Sequence, residues 1–243
     1  EEQPTITCRY VQPKKTIVDG EEVIKEEDRG IIPQILNNLL TARKEARKKI
    51  KTETDPFKKS VLDGLQLAYK ITANSIYGQI GASTSTIYFK EIAASTTAVG
   101  RKMLFLAKDY VESNYPGAKV VYGDTDSIFI KYKLEDENGK PLEGKEALKK
   151  SIELGVETEK GMKSLMKKPH NLEYEKTFYP FCLLSKKRYV GRKYEFDLDK
   201  YVLNAMGIVL KRRDNAAIVK YVYGGIIDRI MAREPIQNSI DFL

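Results

Sequence analysis

Two apolar, strand-favouring runs, Lys119-Val120-Val121 and Ile128-Phe129-Ile130, flank the stretch Tyr122-Gly123-Asp124-Thr125-Asp126-Ser127. Val, Ile, Phe and Tyr favour strands, and Gly-Asp between two such runs is a hairpin signal. The pattern predicts a short antiparallel hairpin with two carboxylates at its tip. If the strand continues through them, the two-residue period puts Asp124 and Asp126 on the same side. Carboxylates held that close repel each other and raise one pKa unless a cation sits between them. The cation that suits carboxylate oxygens, water and phosphate is Mg²⁺. A bare D-x-D also ends many strands in ordinary turns, so the surrounding residues decide.

Net charge favours a polyanionic partner. The chain carries +8 at pH 7 with a pI near 9.2, which points to nucleic acid or an anionic membrane surface. A length of 243 residues allows a sizeable core in one domain or two. Cys8 and Cys182 are too few and too far apart for a disulfide scaffold and suggest a reducing compartment. His170 is the only histidine, which all but excludes a His-rich zinc site or a Ser-His-Asp triad. No apolar run approaches the roughly 18 residues of a membrane span, and no secretory signal is visible. The chain opens on Glu-Glu-Gln-Pro and closes on Asp-Phe-Leu without a start Met; it reads as a piece of something longer.

Residues 5–18 read as extended, with a turn at Asp19-Gly20 and a charged connection to Arg29. A helix is expected from Pro33, at the first helical position, with Ile32, Ile35, Leu36, Leu39 and Leu40 at helical spacing. That stripe continues to Arg43, Ala46, Arg47 and Ile50, so two arginines stand on a face that was apolar one turn earlier. Arginines at inward positions suggest a cleft for an anion; snorkelling at a helix end explains them equally well. Asp55 as N-cap and Pro56 start a second helix to about residue 80, giving a helical hairpin. On it Lys70, Asn74 and Tyr77 share one face, a charge for phosphate, an amide, and a ring able to stack on a base. Ile71 and Ile76 point elsewhere and are expected in the core, and Gly78 and Gly81 end the helix. Further helices are expected over about 90–113, 145–167 and 216–233. Strands are expected over 172–178, 183–190 and 194–197, with Ser185-Lys186-Lys187-Arg188-Tyr189 in mid-strand. Alternation would put Lys187 and Tyr189 on one face, and adjacent cations inside a strand call for an anion.

Taken in order, Lys70 with Asn74-Ser75-Ile76-Tyr77-Gly78, then Tyr122-Gly123-Asp124-Thr125-Asp126-Ser127, then Lys186-Lys187-Arg188-Tyr189 resemble the family B DNA polymerases. The likeness covers essentially the whole chain. With Lys211-Arg212-Arg213-Asp214-Asn215, it looks closest to the eukaryotic delta-type enzymes and those of large nucleocytoplasmic DNA viruses.

The resemblance implies an α+β fold: an antiparallel palm sheet backed by helices, with a helical-hairpin fingers insertion and the start of a thumb. It implies a palm segment over residues 1–32, fingers over 33–80, palm over 81–205 and thumb from 206 to 243. It implies template-directed nucleotidyl transfer to a primer 3′-hydroxyl, in DNA replication, with two Mg²⁺ ions. Asp126 matches the catalytic aspartate on those ions, and Asp124 its more peripheral neighbour. Arg43, Arg47, Lys70, Asn74 and Tyr77 match residues around the incoming nucleotide. Gly78, Thr125, Ser127, Lys187, Arg188, Tyr189, Arg212 and Arg213 match positions beside DNA. The implied partners are primer-template DNA and deoxynucleoside triphosphates, with a sliding clamp reached through other regions, inside a nucleus or the cytoplasm of a virus-infected host. One departure matters: the family carries another aspartate in a D-x-x-S-L-Y-P-S segment, which this sequence does not contain. Neither an exonuclease domain nor a full thumb is read here, and the chain by itself is expected to be inactive. Two other readings stay open, a module that grips primer-template or nucleotide without chemistry, and another palm enzyme such as a reverse transcriptase or RNA-dependent RNA polymerase. The motifs around Lys70 and Lys187 argue against the latter.

Overall fold

The computed structural model describes residues 7–11, 14–18, 21–25, 28–167, 169–208, 210 and 215–243. The chain divides into two compact units, Glu1–Val99 and Gly100–Leu243. The helix and antiparallel-sheet content makes it α+β, as expected.

In the first unit a small hairpin pairs β1 (Thr16–Val18) with β2 (Glu21–Val23). The second strand lies where the sequence reads as a charged connection; the expected Asp19-Gly20 turn lies outside the described residues. Helices α1 (Ile31–Thr52) and α2 (Pro56–Gly81) follow, joined by three residues. The join is set by Asp55, whose Oδ1 accepts from the amides of Phe57 at 2.9 Å and Lys58 at 3.4 Å, with Pro56 opening the helix. Pro33 sits in the first turn of α1 rather than at its start, where a missing N–H still costs nothing. The less exposed positions, Leu36, Leu39, Arg43, Ala46 and Ile50 on α1 and Leu62, Gln66, Tyr69, Ala73 and Ile76 on α2, recur every three or four residues. This is the spacing of a helix–helix seam. Ile71 is not in it: it is 56% exposed, against expectation, because Tyr69 and Ala73 take the inward positions on either side. Gly78 lies inside α2, which runs on to Gly81. Helix α3 (Lys90–Asn114) begins here, where Tyr10 meets Ser95 Oγ at 2.6 Å, and continues into the second unit.

The second unit holds the sheets. β3 (Lys119–Asp124) pairs antiparallel with β4 (Ser127–Lys131). After α4 (Gly144–Met162), β5 (Thr177–Ser185), β6 (Arg188–Tyr194) and β7 (Val202–Met206) form a three-stranded antiparallel sheet in that order. Helices α5 (Ala217–Ala232) and α6 (Ile236–Phe242) close the chain. β6 is the central strand, and its neighbours on the two sides alternate. Val190 packs with Ile208, Ile227 and Met231 of the α5 side, whereas Tyr189 meets the rings of Tyr122 and Phe129 on the β3–β4 hairpin. A second core joins Ala107 of α3 to Met162 and Met166, with Ile128 of β4 packed against it. The acidic hairpin is thus clamped between α3 and the larger sheet. The expected strand over 172–178 forms only from Thr177, and β7 and α6 were not foreseen.

Candidate active site

The acidic stretch does form a hairpin tip, but the turn comes directly after the Gly-Asp pair rather than on it. Asp124 ends β3, Ser127 opens β4 opposite it, and Thr125-Asp126 make the loop. The strand therefore does not continue through both carboxylates, and the two-residue period does not relate them. Thr125 takes φ of 52°, an uncommon conformation for a β-branched residue and one that marks functional turns. Local bonds hold it: the Asp126 amide donates to Asp124 O at 2.5 Å, Thr125 Oγ1 to Asp124 Oδ1 at 3.1 Å, and Ser127 Oγ to Asp124 O at 3.1 Å. The hydroxyls of Thr125 and Ser127 thus brace Asp124. The Asp126 side chain is exposed and makes no hydrogen bond among the described residues.

A second hairpin tip meets the first. Ser185 pairs with Arg188, so Lys186-Lys187 form a two-residue turn between β5 and β6, not the interior of a strand. Lys187 takes φ of 60°, and its exposed side chain reaches Asp124, Nζ to Oδ1 at 2.6 Å. The hydrogen bond from Lys187, foremost, holds the Asp124 carboxyl below its usual range, and the same bond raises the Lys187 ammonium. The Lys187 amide also donates to Tyr122 Oη at 2.8 Å. Beneath the two tips lie Tyr122, Phe129, Phe178, Phe181 and Tyr189, with centroids of neighbouring rings 5.2–6.3 Å apart. Tyr189 is only 6% exposed. It does not share a face with Lys187; it supports the turn from below. Gly207, at φ of 63°, completes the support, because a Cβ there would run into the carbonyl of Lys187.

The other sequence-predicted residues lie on the helical hairpin of the first unit. Arg43 is half-buried at the seam and donates from Nε to Gln66 Oε1 at 3.3 Å. Lys70 stands one turn beyond Gln66, and with Arg47, Asn74, Tyr77 and Gly78 it is exposed. Of the two inward arginines, only Arg43 is partly enclosed.

Comparison with known proteins places the whole chain in a family. The family model described as DNA polymerase family B matches residues 4–243. A DNA polymerase of Pyramimonas orientalis virus is 47% identical over 98% of this chain and 22% of its own length. The DNA polymerase delta catalytic subunit of Drosophila melanogaster is 38% identical over 96% of this chain and 21% of its own. That of Candida albicans is 38% identical over 88% and 20%. The chain belongs to DNA polymerase family B. It spans about a fifth of the length of these curated relatives.

Asp124, Thr125, Asp126, Ser127, Lys187 and Tyr189 form one assembly in the second unit, with Arg188 exposed at the first position of β6. Arg212 and Arg213 lie outside the described residues. Among the described residues no three acidic, His or Cys side chains gather in one place, so the aspartate pair stands without a third carboxylate. Among the described residues no helix is long and apolar enough to cross a membrane. Sequence reasoning missed two supports of this assembly. Tyr122 reads as a strand residue, though a polar-tipped ring next to an acidic turn is a hint. Gly207 has no signal beyond being a glycine after a strand.

Proposed function

We propose that the chain carries part of the nucleotidyl-transfer site of a DNA-directed DNA polymerase acting in replication. The observation that supports this most is the meeting of an acidic and a basic hairpin tip, Asp124 Oδ1 to Lys187 Nζ at 2.6 Å, in a family B member. In this reading residues 1–32 and 81–205 are palm, 33–80 fingers and 206–243 the start of the thumb.

The donors fit Mg²⁺ in kind, since both are hard carboxylate oxygens. Asp126 offers a free carboxylate, and Asp124 one that Lys187 must first release. Bound there, two such ions would lower the pKa of the primer 3′-hydroxyl and offset charge on the leaving pyrophosphate. The chain's own residues position the substrates. Lys186, Lys187 and Arg188 line a basic tip for primer phosphates, on a turn that Tyr189 and Tyr122 hold rigid. Arg43, Arg47 and Lys70 hold the triphosphate through charge-assisted bonds, with Asn74, Tyr77 and Gly78 beside the nascent base pair. Arg212 and Arg213 add phosphate contacts further along the duplex. Such a protein works inside a nucleus or an infected cell's cytoplasm, and a sliding clamp would engage it through regions of a longer enzyme.

Two carboxylates are too few to balance two divalent ions, so residues 1–243 alone are inactive in this reading. Primer extension tests it. The chain by itself should extend nothing, and supplying the family's D-x-x-S-L-Y-P-S palm segment in the same chain should restore synthesis. Asp126→Asn should then abolish it. Extension by residues 1–243 unaided, or a restored activity indifferent to Asp126→Asn, refutes the assignment.

A further inference from the structure

The end of the larger sheet away from the Lys186-Lys187 turn holds a second concave site. A cavity of about 360 Å³ lies between the start of α4, β5, the far half of β6 and the end of α5. Arg192 on its wall is five residues from Lys187, about 17 Å along an extended strand. Three cations line it, Lys145, Arg192 and Arg233, against one carboxylate, Asp199. Lys145 pairs with Asp199, and both are exposed. Arg192 lies over the Tyr201 ring at 4.9 Å and Arg233 over the Tyr179 ring at 4.7 Å. Neither guanidinium has an ion-pair or hydrogen-bond partner among the described side chains. Both are therefore held in place by aromatic faces with their N–H groups unused. The first turn of α4 opens into the same cavity at Gly144, whose amide donates to Tyr179 Oη at 3.1 Å, and its N-cap Glu143 makes no side-chain capping bond. A helix N-terminus adds further positive potential. The floor is apolar, from Leu148, Leu198 and Met231.

We propose that this cavity binds a phosphate monoester of nucleotide size, with the phosphate on the Arg192–Arg233 rim and the ring on the apolar floor. Three cations against one carboxylate leave two positive charges, which matches a phosphate monoester of about −1.5 to −2 better than one carboxylate. Guanidinium forks suit phosphate oxygens, and the volume lies at the small end of ligand pockets.

The test is site-resolved NMR of the whole chain titrated with AMP, adenosine and inorganic phosphate. AMP should move the amides of Gly144, Lys145 and Tyr201 saturably, phosphate should move them more weakly, and adenosine should not. Arg192→Gln with Arg233→Gln should weaken AMP at least about tenfold, as for loss of charge-assisted bonds, with the Val190 amide unmoved. Tyr201→Leu, which removes only one stacking face, should weaken AMP several-fold. Lys70→Ala should change nothing here, which separates this cavity from the proposed triphosphate residues. The proposal falls if AMP leaves these amides still, if adenosine binds as well as AMP, or if the double variant binds AMP undiminished. Saturation by a glutamate-rich peptide with AMP silent also overturns it, in favour of a protein partner.

Discussion

Gly207→Ala isolates how the Lys186-Lys187 turn is held. Two glycines have similar positive φ, Gly207 at 63° and Gly139 at 77°. Around Gly139 a Cβ would meet nothing within 4 Å; at Gly207 it would collide with the carbonyl of Lys187. Alanine at either position bears the left-handed penalty of roughly 1–2 kcal/mol, partly offset by about 0.4–1 kcal/mol from a less mobile unfolded chain. Gly139→Ala should therefore destabilise by about 1 kcal/mol. Gly207→Ala must also displace the turn, and forced backbone shifts cost typically 1–3 kcal/mol, for a total of about 2–4 kcal/mol. At about 2–4 °C per kcal/mol for a chain of this size, the melt should fall by about 2–4 °C for Gly139→Ala and by about 4–16 °C for Gly207→Ala. Hydrogen exchange at the Val190 and Gly191 amides reports the same unit without reference to the other. The displaced turn should also carry Lys187 away from Asp124 and weaken DNA binding, which Gly139→Ala leaves alone. Equal melts and equal DNA affinity for the two variants would refute the packing account of the turn.

Three further outcomes follow. DNA affinity of the chain should fall steeply with salt, and Lys187→Ala should reduce the logarithmic slope by about 0.9, one phosphate contact; an unchanged slope removes Lys187 from the DNA surface. In the complete enzyme, Lys70→Ala should raise the KM for nucleotide while leaving primer-template binding intact; equal loss of both would make Lys70 a DNA contact. Tyr132 meets Thr158 Oγ1 at 2.7 Å, and burial pushes its phenol up to about 12. The folded state then favours the neutral phenol, so stability is full below about pH 10 and declines as pH rises towards 12. Tyr132→Phe should flatten that decline in denaturant titrations across this range, and a decline of the same steepness would remove Tyr132 as its source.

Local rules carried the reading where local interactions decide. Asp55 and Pro56 announce α2 because an N-cap and a fixed φ need no distant partner. The β3–β4 hairpin follows from its two apolar runs in the same way. The errors fall where a residue's fate depends on something far along the chain. Lys186-Lys187 looks like strand interior because Leu183, Leu184, Tyr189 and Val190 are all strand formers. The turn exists because β5 and β6 both bring aromatic rings, Phe178, Phe181 and Tyr189, onto Phe129 of another hairpin. β7 was missed because Val202-Leu203-Asn204-Ala205-Met206 has weak alternation, and its partner is β6. At the site, residue types were legible and their partners were not: no spacing rule joins Lys187 to an aspartate 63 residues earlier.

That pairing answers the electrostatic problem posed by the acidic turn. Two neighbouring carboxylates need a cation, and in the chain by itself a lysine supplies it to one of them. The result is an unequal pair. Asp124 is braced by Thr125 and Ser127, held ionised by Lys187 and partly shielded, whereas Asp126 stands exposed and unbonded at the same tip. Under the proposed function, a divalent ion arriving at this turn would meet Asp126 without displacing anything, but would reach Asp124 only in competition with Lys187. In the same proposal primer phosphate would compete for that ammonium, and in drawing Lys187 away it would free Asp124. Lys187 would then link the arrival of DNA to the readiness of the carboxylates. The two tips rest on one shared aromatic cluster, so displacing either hairpin disturbs the packing of the other.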